Sequence, residues 1–144
     1  MPAISGLKGR WLSPRGVRLQ LRDKVGTPGG ELPYTIVNEG RLPLMFGAGY
    51  GFEKRTAVVW RRLHISQAFA AWGQRVLPGT RTRAMSAHVP RDFRPGRYRL
   101  TTSLTVLDAD GSPVRRHGRP VNVAISCTFL IARPGSGATR ARRR

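Results

Sequence analysis

The chain has 144 residues, 40% of them hydrophobic, and carries 26 Lys and Arg against 7 Asp and Glu, for a formal net charge of +19. That length leaves room for one domain and one core, and the hydrophobic fraction excludes a disordered polycation. The charge points to an anionic partner such as nucleic acid, anionic lipid or an acidic wall polymer, while the lack of any apolar run near ~20 residues excludes a helical membrane span.

Residues 1–16 are basic and broken by Gly6, Gly9, Pro14 and Gly16, so a flexible N-terminal segment is expected there. The stretch MPAISGLKGRWLSPRG has no apolar run of the kind that makes a signal peptide, and the chain reads as soluble and without an export signal. Residues 17–133 are expected to form the domain proper, and residues 134–144, PGSGATRARRR, a disordered arginine-rich tail. Only Lys8, Lys24 and Lys54 are lysines, so nearly all the positive charge is arginine. Arginine chosen for its bidentate grip on phosphate or carboxylate and arginine filling surface positions by default both fit.

Within the domain the dominant period is two. Val17, Leu19 and Leu21 alternate with Arg18, Gln20 and Arg22, which predicts a strand with one buried and one cationic face. Leu32, Tyr34 and Ile36 repeat the pattern until Asn38-Glu39-Gly40 stops it with turn chemistry. Tyr50 and Phe52 precede a short apolar run holding Val58 and Trp60, and HISQAFAAWGQ, residues 64–74, supplies the one short helical candidate. Met85, Ala87 and Val89 alternate in a strand entered through Leu77-Pro78-Gly79 and closed by Pro90.

In RYRLTTSLTV, Tyr98, Leu100, Thr102, Leu104 and Val106 share one face, and Arg97, Arg99, Thr101, Ser103 and Thr105 the other. Val121, Val123, Ile125, Cys127, Phe129 and Ile131 form the buried side of the last strand. These two strands, joined through the turn pair Asp110-Gly111, are expected to form a long antiparallel hairpin. Cys127, the single cysteine, excludes an internal disulfide and reads as a small core residue. Six to eight short strands with regular turn signals predict an all-β antiparallel sandwich of about seven strands, with a barrel as the alternative.

GAGYGFEK, residues 47–54, tests for a phosphate cradle. A dinucleotide loop needs G-x-G-x-x-G opening a helix, because the helix N-terminus supplies the anion site. Gly47, Gly49 and Gly51 are spaced G-x-G-x-G, Phe52 takes the third glycine's slot, and no helical pattern follows. The glycines are therefore expected to bend the chain into a strand with Tyr50 and Phe52 on one face.

YTIVNEG, FGAGYGFEK, VVWRRL, LPGTRTRAM and DFRPGRYRL, in that order over residues 34–100, resemble the bacterial immunoglobulin-like domains of exported and lipid-anchored proteins. The resemblance implies an immunoglobulin-like sandwich, a structural or adhesive role at the cell envelope and an extracytoplasmic location. Exported members usually begin with a signal sequence, and residues 1–16 are not expected to be one. From the residues themselves, Tyr98 after Arg94-Pro95-Gly96 sits where a tyrosine corner is expected, its hydroxyl bonding to backbone near Asp92. Pro95 fixes φ, Gly96 supplies a left-handed position, and Trp60 is expected as the large inward residue at the sandwich centre.

Chemistry is sparse. The seven acids fall mostly in turn contexts, His64, His88 and His117 stand apart, and no G-x-S-x-G or metal-ligand spacing occurs. No catalytic, cofactor or metal site is expected, and a non-enzymatic module is. Binding would reside on the outward strand faces, where Arg61, Arg97, Arg99 and Asn122 could form a cationic patch for phosphates or uronic carboxylates. The expected partners are an anionic wall polymer or another protein. The alternative is an arginine-rich polyanion or nucleic-acid binding protein, disfavoured because Tyr98 and Phe129 alternate inward instead of interleaving with the basic face.

Overall fold

The structure, a computed structural model, describes residues 16–65 and 73–133. The expectations for residues 1–15, for the middle of the short helical candidate at 66–72 and for the tail at 134–144 lie outside them. Of that candidate's described residues, Gly73 and Gln74 are strand. The strands are β1 Val17–Leu21, β2 Val25–Gly26, β3 Glu31–Asn38, β4 Leu44–Gly47, β5 Gly51–Arg55, β6 Trp60–Arg62, β7 Gly73–Val76, β8 Thr80–Arg81, β9 Met85–His88, β10 Gly96–Val106, β11 Arg115–Arg116, β12 Arg119–Pro120 and β13 Asn122–Ile131.

Two sheets face each other. In one, β3 pairs antiparallel with β1, β8 and β9. In the other, β10 is central, with β13 on one side and both β4 and β5 on the other. β2 joins the outer side of β13 in parallel, β7 extends β4, and β6 extends β5. The first strand is thus divided between the sheets and β10 and β13 run antiparallel at the centre of the second, so the chain is an all-β, mainly antiparallel sandwich. Among the described residues thirteen segments stand where about seven were expected, because pieces as short as β2, β4, β7 and β8 show no alternation of their own, and because the loop after β10 folds its own small hairpin, β11–β12. At the tip of that hairpin His117 and Gly118 both have positive φ, 55° and 77°, the pair of values a two-residue turn of this hand requires.

Alternation places the core. Leu19, Leu21, Leu32, Tyr34 and Ile36 from the first sheet meet Phe46, Phe52, Tyr98, Leu100, Leu104, Val123, Ile125 and Phe129 from the second. The centre is aromatic: Phe52 stands edge-on to Phe129 at 5.9 Å and to Phe93 at 5.2 Å, while Tyr98 stacks on Phe93 at 4.7 Å and on Phe129 at 5.7 Å. Such pairs each add about 0.5–1.5 kcal/mol beyond their buried area. Cys127 is half-buried against this core, opposite Leu100 in the β10–β13 ladder.

The break between β4 and β5 is the GAGY stretch. Phe46 pairs with Leu104 and Gly51 with Thr101, so residues 47–50 lie opposite only Ser103 and Thr102. Two extra residues are an even number, so the phase survives and both Phe46 and Phe52 point inward; one extra residue would have turned one of them out. The bulge has a second effect. Tyr50 stays on the core side, edge-on to Phe52 at 5.7 Å, and its hydroxyl accepts from the backbone N–H of His88 on β9 at 2.8 Å. The buried Thr102 hydroxyl donates to the Gly49 carbonyl at 3.0 Å. The glycine-rich stretch therefore ties the two sheets together.

The corner before β10 forms as a hydrogen bond from the Tyr98 hydroxyl to the Arg94 carbonyl at 2.6 Å. Its acceptor is Arg94, at the turn itself, instead of the backbone near Asp92. Gly96 has a positive φ of 155°, a backbone conformation that residues with a side chain rarely adopt, so glycine is required at this corner.

Candidate functional site

The outer face of the second sheet is built by parity. On β10, Arg97, Arg99, Thr101 and Ser103 point away from the core, and the register sets Thr128, Ser126 and Ala124 of β13 beside the last three of them. On the other side Glu53 pairs with Arg99 and Gly51 with Thr101, and Arg62 of β6 pairs with Glu53. The result is a shallow, hydroxyl-lined depression of ≈ 640 Å³ whose walls include Gly49, Gly51, Arg62, Arg99, Thr101 and Ser126.

Charge within it is uneven. Arg99 forms an ion pair with Glu53, both only partly exposed, and its guanidinium lies over the Trp60 ring at 4.5 Å. Arg99 is thus neutralised and pinned. Arg62 makes no ion pair or hydrogen bond with the described residues. Its guanidinium reaches over Gly51: a Cβ built there would stand 3.5 Å from an Arg62 nitrogen and 3.2 Å from the Thr101 hydroxyl. Glycine leaves the space the guanidinium and hydroxyl share. A free guanidinium beside hydroxyls is a donor set for a carboxylate, sulfate or phosphate.

The four residues expected to form the patch separate. Arg97 and Arg99 share the outer face, as alternation required. Arg61 does not join them, because its ladder partner is Lys54, which in turn pairs with Tyr98, and residues paired across a ladder share a face. Arg62 takes its place. Asn122 is on the correct face but opposite Thr105, whose hydroxyl donates to Asn122 Oδ1 at 2.7 Å. Six residues separate Thr105 from Arg99, roughly 20 Å of strand.

Trp60 is also displaced. It pairs with Arg55, on the side that carries Glu53, and lies half-buried beneath Arg99, with Arg55 5.7 Å from its ring centroid. The inward aromatic of this strand pair is Phe52, and Trp60 belongs to the outer face. Sequence reasoning missed Arg62 because β6 is too short, at three residues, to show a period of its own.

A second depression of ≈ 550 Å³ at one end of the sandwich is lined by Lys54, His64, His88, Asp92, Phe93 and Tyr98 among others. There Lys54 lies 5.4 Å from the Tyr98 ring centroid, and His88 Nδ1 is 3.1 Å from Glu31 Oε2. Among the described residues no group of three or more His, Cys, Asp or Glu comes together as a metal site.

No protein-family model matches this chain, and no curated protein matches it. Among solved structures, the crystal structure of Spo0M, a sporulation control protein from Bacillus subtilis, is similar at 13% identity and a TM-score of 0.45, over 84% of this chain and 50% of that one. The chain therefore spans half the length of that protein.

Proposed function

We propose that this chain is a non-catalytic binding module whose outer β10–β13–β5 face takes an anionic, oxygen-rich polymer. The observation that carries the reading is Arg62, a guanidinium without an acidic partner among the described residues, lying over Gly51 at the edge of a hydroxyl-lined depression. Its neighbour Arg99 is already matched by Glu53, so the site has one unmatched charge and a row of Thr and Ser hydroxyls. That suits repeated single charges spaced by hydroxyl-bearing units, as in uronate- or phosphate-bearing polymers of a cell envelope, the setting suggested by the immunoglobulin-like resemblance. The net charge of +19 would draw such a polymer in from a distance.

Binding to labelled heparin, measured by anisotropy across a salt series, tests this. Affinity is expected to fall steeply between about 50 and 200 mM salt, as charge neutralisation requires. Arg62→Ala should weaken binding about tenfold, the loss of one charge-assisted contact. Arg116→Ala, on the β11–β12 hairpin, should change it less than about twofold, since it removes only long-range attraction. Equal losses at the two positions would reduce the interaction to overall charge, and salt-independent or absent binding would leave a purely structural module.

A further inference from the structure

We infer that the β5–β6 hairpin is an insertion tip for an anionic lipid surface. The pairing of β5 with β10 ends at Lys54 opposite Tyr98, so Arg55 to Trp60 run on past that ladder. The turn is small and tied: Thr56 donates to the Val59 carbonyl through its backbone N–H at 2.8 Å and through its hydroxyl at 3.0 Å. At its apex Val58 is 76% exposed and Val59 53%, the most exposed pair of adjacent large apolar residues in the described chain, with Ala57 exposed beside them. A sheet edge with no further role would favour polar residues here.

What surrounds the tip selects the occupant. Ladder parity puts Arg61 on one face of the hairpin and Arg55 and Arg62 on the other, so the apolar apex is flanked by cations on both sides. The one acid on the hairpin, Glu53, is matched by Arg99. Trp60, amphipathic and half-buried, lies at the level of these cations. An apolar apex, then an aromatic and arginines together, matches acyl chains followed by the interface with its anionic headgroups. An apolar partner protein would not require cations on both faces. The hairpin is already tied, so insertion has little ordering to oppose it.

The test uses the full chain with vesicles of phosphatidylcholine alone and of phosphatidylcholine mixed with phosphatidylglycerol, read by co-sedimentation. The parent should bind the mixed vesicles and not the neutral ones. Val58→Asp, at an exposed position that leaves the core untouched, should weaken vesicle binding about tenfold or more, and Val58→Leu should strengthen it by a few-fold. Val58→Leu should keep the parent's heparin affinity and Val58→Asp should change it less than about twofold, the effect of one remote charge, which separates the tip from the Arg62 depression. The inference is overturned if Val58→Asp and Val58→Leu bind like the parent, which would mean adhesion by charge alone. Failure of the parent to bind the mixed vesicles would overturn it too, as would a Val58→Asp effect on self-association in sedimentation velocity, which would assign the tip to a second copy of the chain.

Discussion

Asn38 is the residue whose loss should cost this fold most for its size. It is fully buried at the end of β3, and its side chain makes three hydrogen bonds: Nδ2 donates to the carbonyls of Leu42 at 2.9 Å and Val76 at 3.0 Å, and Oδ1 accepts from the Gly40 N–H at 3.0 Å. One amide therefore closes the turn after β3 and holds β7 of the opposite sheet to it. In Asn38→Ala the Leu42 carbonyl and Gly40 N–H are near enough to the surface to recover water, at a net loss of about 0.5–1 kcal/mol each, whereas the Val76 carbonyl is buried and pays desolvation of about 1–2 kcal/mol. The sum is about 3 kcal/mol, which for a domain of this size lowers Tm by roughly 10 °C. Asn38→Asp sharpens the test. A carboxylate there would face two carbonyl oxygens, so its folded pKa is raised above the unfolded ~3.9. The folded state then binds the extra proton more tightly, and stability is highest below pH ~4 and falls as pH rises through the folded value. Urea unfolding of both variants across that range is the assay. A loss below about 1 kcal/mol for Asn38→Ala, or an Asn38→Asp variant whose deficit does not grow with pH, would refute this account of the junction.

Two further outcomes follow from burial. Phe52→Ala should cost about 3–5 kcal/mol in urea unfolding and Trp60→Ala less than half of that, because Phe52 sits inside the aromatic core while Trp60 is an outer-face residue under Arg99; equal costs would return Trp60 to the core. Burial, with a smaller effect from the nearby Tyr50 phenol, pushes the Tyr34 phenol up to about 12, so ultraviolet titration of the folded chain should show a phenol ionising well above the ordinary value. Since the unfolded chain releases that proton near pH 10, stability should fall as pH rises from about 10 to 12, and a Tyr34→Phe variant should lose that part of the decline.

The sandwich was legible because its long strands keep strict parity. In β10, β13, β1 and β3 the inward side chains, Thr102 and Asn38 apart, are apolar at every second position over five to eleven residues, enough for a period of two to be distinguished from 3.6 and for the inward set to be named. The site was legible only where it drew on those strands, which is why Arg97 and Arg99 were placed on the correct face. The hairpin carrying Trp60, Arg61 and Arg62 has three residues in β6, and its facing depends on which residue of β5 each one pairs with. That register is set by the turn from Thr56 to Val59, whose hydrogen bonds carry no clear signature in TAVV. A single step of pairing exchanges Arg61 for Arg62 and Trp60 for its neighbour. The same parity that makes long strands readable makes short ones ambiguous, and the residues that give this face its unmatched charge lie on the short ones. For β-sandwich modules of this kind, a candidate site should therefore be sought first where a brief edge hairpin meets a bulge beside the central strand, since composition cannot reveal which face an edge residue takes.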